Sequence, residues 1–324
     1  MIVRIGRALT LLAALVVVPA LALRGLFLHD MDGARARLAG QSETIETPFG
    51  REEFAVAGQG EPILVIHGSA GGFDQGLEMS ALFANSLYQR IAPSRFGYLG
   101  SVARVPLSTA MQADAYVPVL DRLGVDQVDV VGISAGAWSA LDFAIRHPER
   151  CRALVLVVPA DFLPEGVSVH GGRITKAMIG SDFVAWAAGR LMPLMPGTVG
   201  SVMLGTDERV IEGASREEKA RLTALMQHLS PISARHTGMQ FDIETAATRH
   251  PEALASITCP VLTISTDDDQ FGTGRRAREI ANAVGTGHAI VYPTGGHALV
   301  GRQEVLRRDV EAFLGSRRAA AQRR

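Results

Sequence analysis

Cysteine is nearly absent: of 324 residues only Cys151 and Cys259 carry a thiol. Two thiols cannot make a disulfide framework, and neither belongs to a C-x-x-C pair, so a disulfide scaffold is excluded and a zinc module lacks its ligands. Both read as small buried hydrophobes. An excess of charge of one sign is missing too. Lys and Arg number 32 against 33 Asp and Glu, leaving a formal net charge of −1. That balance gives no general attraction to phosphate backbones, so no nucleic-acid partner is expected. What the chain does have is core material: 47% of it is hydrophobic and 20% charged, which excludes a disordered or low-complexity protein. There is no internal repeat.

The N-terminus stands apart. Arg4 and Arg7 precede an uncharged run from Ala8 to Leu23, closed by Arg24. A basic start followed by apolar residues reads as an export signal or a membrane anchor, outside the fold. The run falls short of the roughly 20 residues that span a bilayer, but Gly25 to Leu28 would lengthen it if Arg24 snorkels. Residues 1–28 are therefore expected to form the anchor, with membrane association through residues 8–28 and the remainder extracytoplasmic. Ala20-Leu21-Ala22 is a small-x-small site, and cleavage near Ala22 would instead release a secreted or periplasmic protein. Residues 29–45 are charged and rich in small residues, as a tether would be. At the other end, 316–324 form a basic tail with Arg317, Arg318, Arg323 and Arg324.

Between these ends the pattern is strand, turn, helix. Ile63 to Ile66, Val128 to Val131, Ala153 to Val158, Val261 to Ser265 and Ala289 to Tyr292 are short apolar runs, expected of strands covered on both faces. Helical stretches such as Ala137 to Arg146, Arg275 to Val284 and Glu304 to Leu314 fall between or after them. The alternation predicts an α/β fold with a doubly wound, mostly parallel sheet over 46–160 and 256–315. Residues 161–255 break it, with helical stretches over Thr175 to Met192 and Arg216 to Leu229 and no buried strand. So long an insertion should fold as a helical cap above the C-terminal edge of the sheet, where such folds bind ligands. Met178, Phe183, Trp186, Leu191, Met192, Leu194 and Met195 are candidates to line a pocket there or to form the cap's own core.

The chemistry centres on Gly132-Ile133-Ser134-Ala135-Gly136. This G-x-S-x-G string directly follows a buried strand and opens a helix, the context in which it exposes a serine hydroxyl on a cramped turn. A Cβ at either glycine would collide with neighbouring backbone. A serine needs a base, and among the nine histidines His297 is best placed, after the final strand in Gly295-Gly296-His297. His67 reads as a brace for its own glycine-rich turn. His147, His170, His228, His236, His250 and His288 read as surface or packing residues. The base needs an acid to fix its tautomer. Asp267, Asp268 and Asp269 all follow the fourth strand at the same edge, and at most one of them can face an imidazole. Asp161 is a weaker substitute.

These residues, in this order, resemble the α/β-hydrolase superfamily, specifically its helical-capped serine hydrolases. The likeness runs from about Phe49 to Leu314 and includes Ala92-Pro93-Ser94-Arg95-Phe96-Gly97-Tyr98, which is similar to the family's arginine-and-glycine turn. The resemblance implies Ser134 as nucleophile, His297 as general base and Asp268 as acid, about three residues past Ser265. Ser265 stands where many members have glycine, and Asp269 where proline is usual, which leaves Asp267 and Asp269 open. It also implies an oxyanion hole from the backbone N–H groups of Ser69 and Ala135. No metal or cofactor is implied. A serine at position 134 argues against dehalogenase or epoxide-hydrolase chemistry, which needs a carboxylate there. The expected activity is hydrolysis of small or medium carboxylic esters, rising through roughly pH 6–7 as the base becomes neutral. The alternatives are carbon–carbon or other acyl hydrolysis with the same triad, and a non-catalytic ligand receptor. A dienoate substrate would need a basic group near the site, for which Arg95 and Arg190 are candidates.

Overall fold

The computed structural model describes residues 2–84, 87–163, 177, 179–248 and 252–321, and side chains only between 15 and 316. Of the residues singled out above, Arg4, Arg7, His170, Met178, His250, Arg317, Arg318, Arg323 and Arg324 lie outside the described side chains. The chain divides into two compact units, Met1–Ala39 and Gly40–Arg324.

The first unit is one helix, α1 (Ile2–Leu38), which passes through Pro19. It continues through most of the stretch expected to be a tether. Ala34, Ala36 and Leu38 are strong helix formers, and Arg35 pairs with Asp32 one turn back at 3.1 Å. Among the described residues no helix is long and apolar enough to cross a membrane. That overturns the expected anchor over residues 8–28 and the extracytoplasmic placement built on it. The apolar stretch from Leu15 stops at Arg24, and Asp30, Asp32, Arg35 and Arg37 follow in the same helix. Ala22, the alternative cleavage point, lies inside that helix as well.

The second unit is built on a nine-stranded sheet. Its strands are β1 (Glu43–Thr47), β2 (Gly50–Ala57), β3 (Glu61–Ile66), β4 (Tyr88–Ser94), β5 (Val102–Ala103), β6 (Val128–Ile133), β7 (Cys151–Val157), β8 (Val261–Thr266) and β9 (Gly287–Tyr292). Across the sheet the order is β1-β2-β4-β3-β6-β7-β8-β9, with β5 against β2. From β4 to β9 every neighbour is parallel, while β1, β2 and β5 add an antiparallel margin. This is the doubly wound, mostly parallel α/β sheet that the alternating runs predict.

Strand side chains alternate between faces, which divides the apolar runs into two layers. Leu64, Ile66, Val130, Leu154 and Leu156 pack with Tyr116 and Leu120 of α3 (Thr109–Arg122), the helix after α2 (Phe73–Ser80), and with Leu141 and Phe143 of α4 (Gly136–Arg146). Ile63, Val65, Val131, Val155 and Val157 pack on the other side with Leu306, Val310 and Leu314 of the last helix, Gln303–Ala321. That helix runs on past residue 316, the expected start of the tail. Cys151 and Cys259 are free, buried in the first layer, with their sulfurs 3.5 Å apart.

Between β7 and β8 the described residues hold helices and no strand: α5 (Asp182–Leu191), α6 (Pro196–Leu204), α7 (Glu208–Glu212), α8 (Arg216–His228) and α9 (His236–Ala247). They share a core in which Met192, Ile211, Leu222, Met226 and Ile232 are buried, and Ala70, Tyr98 and Val300 from the loops of the sheet join it. A further helix, α10 (Thr273–Ala283), connects β8 to β9.

Candidate active site

Ser134 follows β6 directly and precedes α4. Its φ of +49° is left-handed, a conformation that costs a non-glycine residue of order 1–3 kcal/mol. The turn is locked by its backbone: Ser134 N–H donates to Val157 O at 2.9 Å, and the N–H groups of Ala137 and Ala160 both donate to Ser134 O at 3.0 Å. The flanking glycines are sterically required. A Cβ on Gly136 would lie 2.4 Å from Ile66 O and 2.5 Å from His67 O, and one on Gly132 would lie 2.6 Å from the Ala140 Cβ. Helix α4 therefore starts hard against β3, with the serine at its mouth.

His297 stands on the loop after β9. Its Nε2 is 3.0 Å from Ser134 Oγ, and its Nδ1 is 2.8 Å from Asp269 Oδ2. The Phe271 ring meets the imidazole edge-on, 4.8 Å between centroids. Two further contacts hold the loop: His297 N–H donates to Gly205 O at 3.4 Å, and Ala298 N–H donates to Thr206 Oγ1 at 3.2 Å.

At the carboxylate beside His297 the structure departs from the expected residue. Asp269, and not Asp268, reaches His297. Asp268 accepts from the N–H groups of Gly295 and Gly296 at 3.1 and 2.8 Å, so it shapes the histidine loop. Asp267 pairs with Arg278 at 2.6 Å, and Asp161 with Arg275. The three consecutive carboxylates thus diverge. Asp269 also accepts from Phe271 N–H at 2.8 Å and from the Thr273 hydroxyl. Burial pushes its carboxyl up, but the charge of His297 and the hydrogen bonds from His297, Thr273 and Phe271 outweigh that and hold it below the ordinary carboxylate value.

The proposed oxyanion donors flank the serine. Ala135 caps the N-terminus of α4, and Ser69 sits on the glycine-rich turn after β3. That turn presses on Ser134, since a Cβ on Gly68 would lie 3.2 Å from the Ser134 Cβ. His67 braces it. Its Nδ1–H donates to Gly68 O at 2.7 Å while Nε2 accepts from Arg95 N–H at 2.9 Å, which assigns the neutral tautomer. Burial and the adjacent Arg95 push His67 well below the ordinary histidine value. Gln75 Oε1 accepts from Gly68 N–H at 3.0 Å. Two buried arginines then tie the turn to the helical segment. Arg95 forks onto Asp242 of α9 at 2.6 and 2.7 Å and reaches Gly68 O at 3.1 Å. Arg235 pairs with Asp74 at 2.8 Å and also donates to Gly71 O.

Above Ser134 and His297 lies a cavity of about 260 Å³, walled mainly by apolar side chains. The pocket candidates Phe183, Trp186, Leu191, Met192, Leu194 and Met195 do not line it. Trp186 and Met192 are buried, whereas Leu194 is 77% exposed at the surface. The wall comes instead from Val202, Met203 and Leu204 on α6, Leu225 and Met226 on α8, and Met239 and Ile243 on α9. Neither Arg95 nor Arg190 is on it. Arg221, which no motif flags, is, as is Gln75.

A family model described as the alpha/beta hydrolase family matches residues 63–308. An uncharacterised hydrolase of Bacillus subtilis is 39% identical over 114 residues, 35% of this chain and 40% of that protein. A 2-hydroxymuconate semialdehyde hydrolase of Pseudomonas putida is 44% identical over 103 residues, 31% of this chain and 37% of that one. The chain thus spans about two fifths of the length of these curated relatives. Among solved structures, an alpha/beta hydrolase fold protein from Nakamurella multipartita superimposes with a TM-score of 0.70 at 25% identity, covering 83% of this chain and 98% of that one.

Proposed function

Because the chain belongs to the alpha/beta hydrolase family, we propose that it is a serine hydrolase of small or medium carboxylic esters, with Ser134 as nucleophile, His297 as base and Asp269 as acid. The observation that carries this is the continuous chain of contacts from Ser134 Oγ through His297 to Asp269, 3.0 and 2.8 Å, at the floor of an apolar cavity. Asp269 holds Nδ1–H, which leaves Nε2 free to take the serine proton as Oγ attacks the ester carbonyl. The carbonyl oxygen gains negative charge between the N–H groups of Ser69 and Ala135, each such donor being worth about 10²–10³ in rate. His297 then returns the proton to the departing alcohol. Water attacks the acyl-enzyme by the same route, releasing the acid and restoring Ser134.

A second reading keeps the triad and changes the bond. Similarity to the 2-hydroxymuconate semialdehyde hydrolase favours carbon–carbon hydrolysis of a dienoic ring-fission product. Such a substrate carries a carboxylate. Arg95 is already matched by Asp242, Arg190 is off the cavity wall, and Arg221 is matched by Glu218, so the ester reading stands first.

The test is labelling of the full chain with a fluorophosphonate, followed by peptide mapping. Modification at Ser134, lost in His297→Ala, is expected; a folded protein with Ser134 unmodified would overturn the reading. Turnover of p-nitrophenyl esters without bleaching of a ring-fission product separates the two bonds.

A further inference from the structure

Arg221 is the one lysine or arginine among the described residues that line the cavity. It lies on α8, and most of its guanidinium is already engaged. Nε and Nη2 donate to the two Glu218 oxygens at 3.0 and 2.7 Å, and Nη2 also donates to Ala298 O at 2.9 Å, beside His297. Glu218 is equally well held, accepting from Gly301 N–H at 3.2 Å and Gln303 Nε2 at 2.6 Å. Nη1, with its two N–H groups, has no partner among the described residues. It is therefore what Arg221 has left to offer a ligand in the cavity.

The charge of this donor is already matched. A substrate carboxylate placed on Nη1 would have Glu218 across the guanidinium and would leave one net negative charge in an apolar chamber, with desolvation poorly offset. A plain alkyl chain would cover the two N–H groups and leave them dry. A neutral oxygen avoids both penalties. We infer that Arg221 Nη1 is a polar subsite for a neutral hydrogen-bond acceptor, a ketone, ether or second ester carbonyl, carried by the substrate away from the bond that is cleaved. The inference rests on the ester-hydrolase reading and names its substrate class: oxygenated neutral esters, ahead of both simple alkyl esters and half-esters of dicarboxylic acids.

Three methyl esters of matched length test it: methyl hexanoate, methyl 5-oxohexanoate and monomethyl glutarate, the last differing from the second only by an anionic oxygen in place of a methyl group. In the wild type kcat/KM for the oxo ester should exceed that for the hexanoate about tenfold, the value of one charge-assisted hydrogen bond, with the glutarate below both. Arg221→Met should lower all three, because the Ala298 contact is lost with the subsite, and should bring the oxo-to-alkyl ratio to about one. Arg221→Lys keeps a donor and should keep the ratio above one. A wild type that prefers the glutarate, or a ratio unchanged in Arg221→Met, would overturn the inference. Calorimetry with 2-heptanone and 2,6-heptanedione separates it from the ester reading. If no ester turns over, that reading fails, while tighter binding of the dione, abolished in Arg221→Met, still supports the subsite. Equal binding of the two ketones overturns it.

Discussion

Replacing Asp269 by Asn keeps the shape of the side chain and reverses what one of its atoms can do. In the wild type Oδ1 accepts from Phe271 N–H at 2.8 Å, while Oδ2 accepts from His297 Nδ1–H at 2.8 Å and from the Thr273 hydroxyl. An asparagine has two orientations. With its oxygen kept on Phe271 N–H, the amide NH2 donates to His297 Nδ1, which must then carry its lone pair there and its proton on Nε2. Nε2–H faces Ser134 Oγ and cannot accept the serine proton. The flipped orientation restores the useful tautomer but sets an amide N–H against Phe271 N–H in a buried place, at a cost of about 1–3 kcal/mol. It also removes the carboxylate that stabilises the imidazolium. Loss of the triad acid in this manner lowers kcat by about 10⁴ in the serine-protease template, so Asp269→Asn should lose about 10³–10⁴ in kcat on a p-nitrophenyl ester, with KM changing little.

The control is the neighbouring carboxylate. Asp268 accepts from two backbone N–H groups of the histidine loop, so Asp268→Asn turns one acceptor into a donor facing a donor. It should cost about 1–3 kcal/mol in stability by urea denaturation and only a few-fold in kcat. If Asp268→Asn lost more activity than Asp269→Asn, or if Asp269→Asn kept a tenth of wild-type kcat, the assignment of the acid would be wrong.

Gly136→Ala should lose measurable activity and about 3 kcal/mol or more of stability by thermal or urea melts. Its Cβ would meet two backbone oxygens at 2.4 and 2.5 Å, and neither can swing aside. Arg95→Met should destabilise by about 3–5 kcal/mol in urea by leaving the buried Asp242 charge with no cation and only the Tyr98 hydroxyl to hold it, and adding Asp242→Leu should recover part of it; no recovery would mean the pair is not the source. The pH profile of stability should also carry the Asp269 signature. Its carboxyl is held low in the folded state, so its stabilising contribution is complete above the unfolded value, about 3.9, and is lost as pH falls through the lower folded value. Wild type should therefore converge on Asp269→Asn in urea melts only below about pH 4, and convergence at higher pH would contradict the depressed value.

The parts of this site that were legible in the chain are those set by local geometry. Gly132, Ser134 and Gly136 sit on a turn whose sterics reach only to the end of β3 and the first two turns of α4, and His297 lies at a strand end, so their placing at one sheet edge follows from neighbouring residues. The carboxylate that meets His297 was not legible, because only loop torsions separate Asp267, Asp268 and Asp269. The turn sends the first to Arg278, the second into the histidine loop and the third to the imidazole. The antiparallel margin was hidden for another reason. β2 carries Glu52 and Glu53, a residue type that is almost never fully buried, yet both are buried, and Glu53 accepts from Ser42, Ser94 and Gly100. The cavity wall depends on how separate helices pack. Periodicity identifies apolar positions such as Met192 and Leu225 alike, and only tertiary packing sends one into a core and the other to the cavity.

That packing makes the helical segment part of the machinery as well as its cover. Helix α9 contributes Met239 and Ile243 to the cavity wall, and the same helix holds Asp242, the partner of Arg95, which in turn grips Gly68 O. Ile232 is on the wall, and three residues on Arg235 ties to Gly71 on the glycine-rich turn after β3 and to Asp74 in the helix that follows it. Helix α8 contributes Leu225 and Met226, and its Glu218–Arg221 pair holds Ala298 and Gly301 on the histidine loop. Helix α9, the segment around Ile232 and helix α8 are thus each bonded through a charged group to one of the two loops that flank Ser134. A bulky residue forced into the wall has two ways to be accommodated: the cavity shrinks, or the helix moves and takes a loop with it. The first raises KM for long substrates and leaves short ones untouched. The second lowers kcat for every substrate. Met239→Phe compared on acetate and hexanoate p-nitrophenyl esters distinguishes them, and the buried Arg95–Asp242 pair one turn along α9 predicts the first, because moving that helix would break a fork of two hydrogen bonds in a dry site. A fall in kcat on the acetate as large as that on the hexanoate would show that the helix yields before the side chain does.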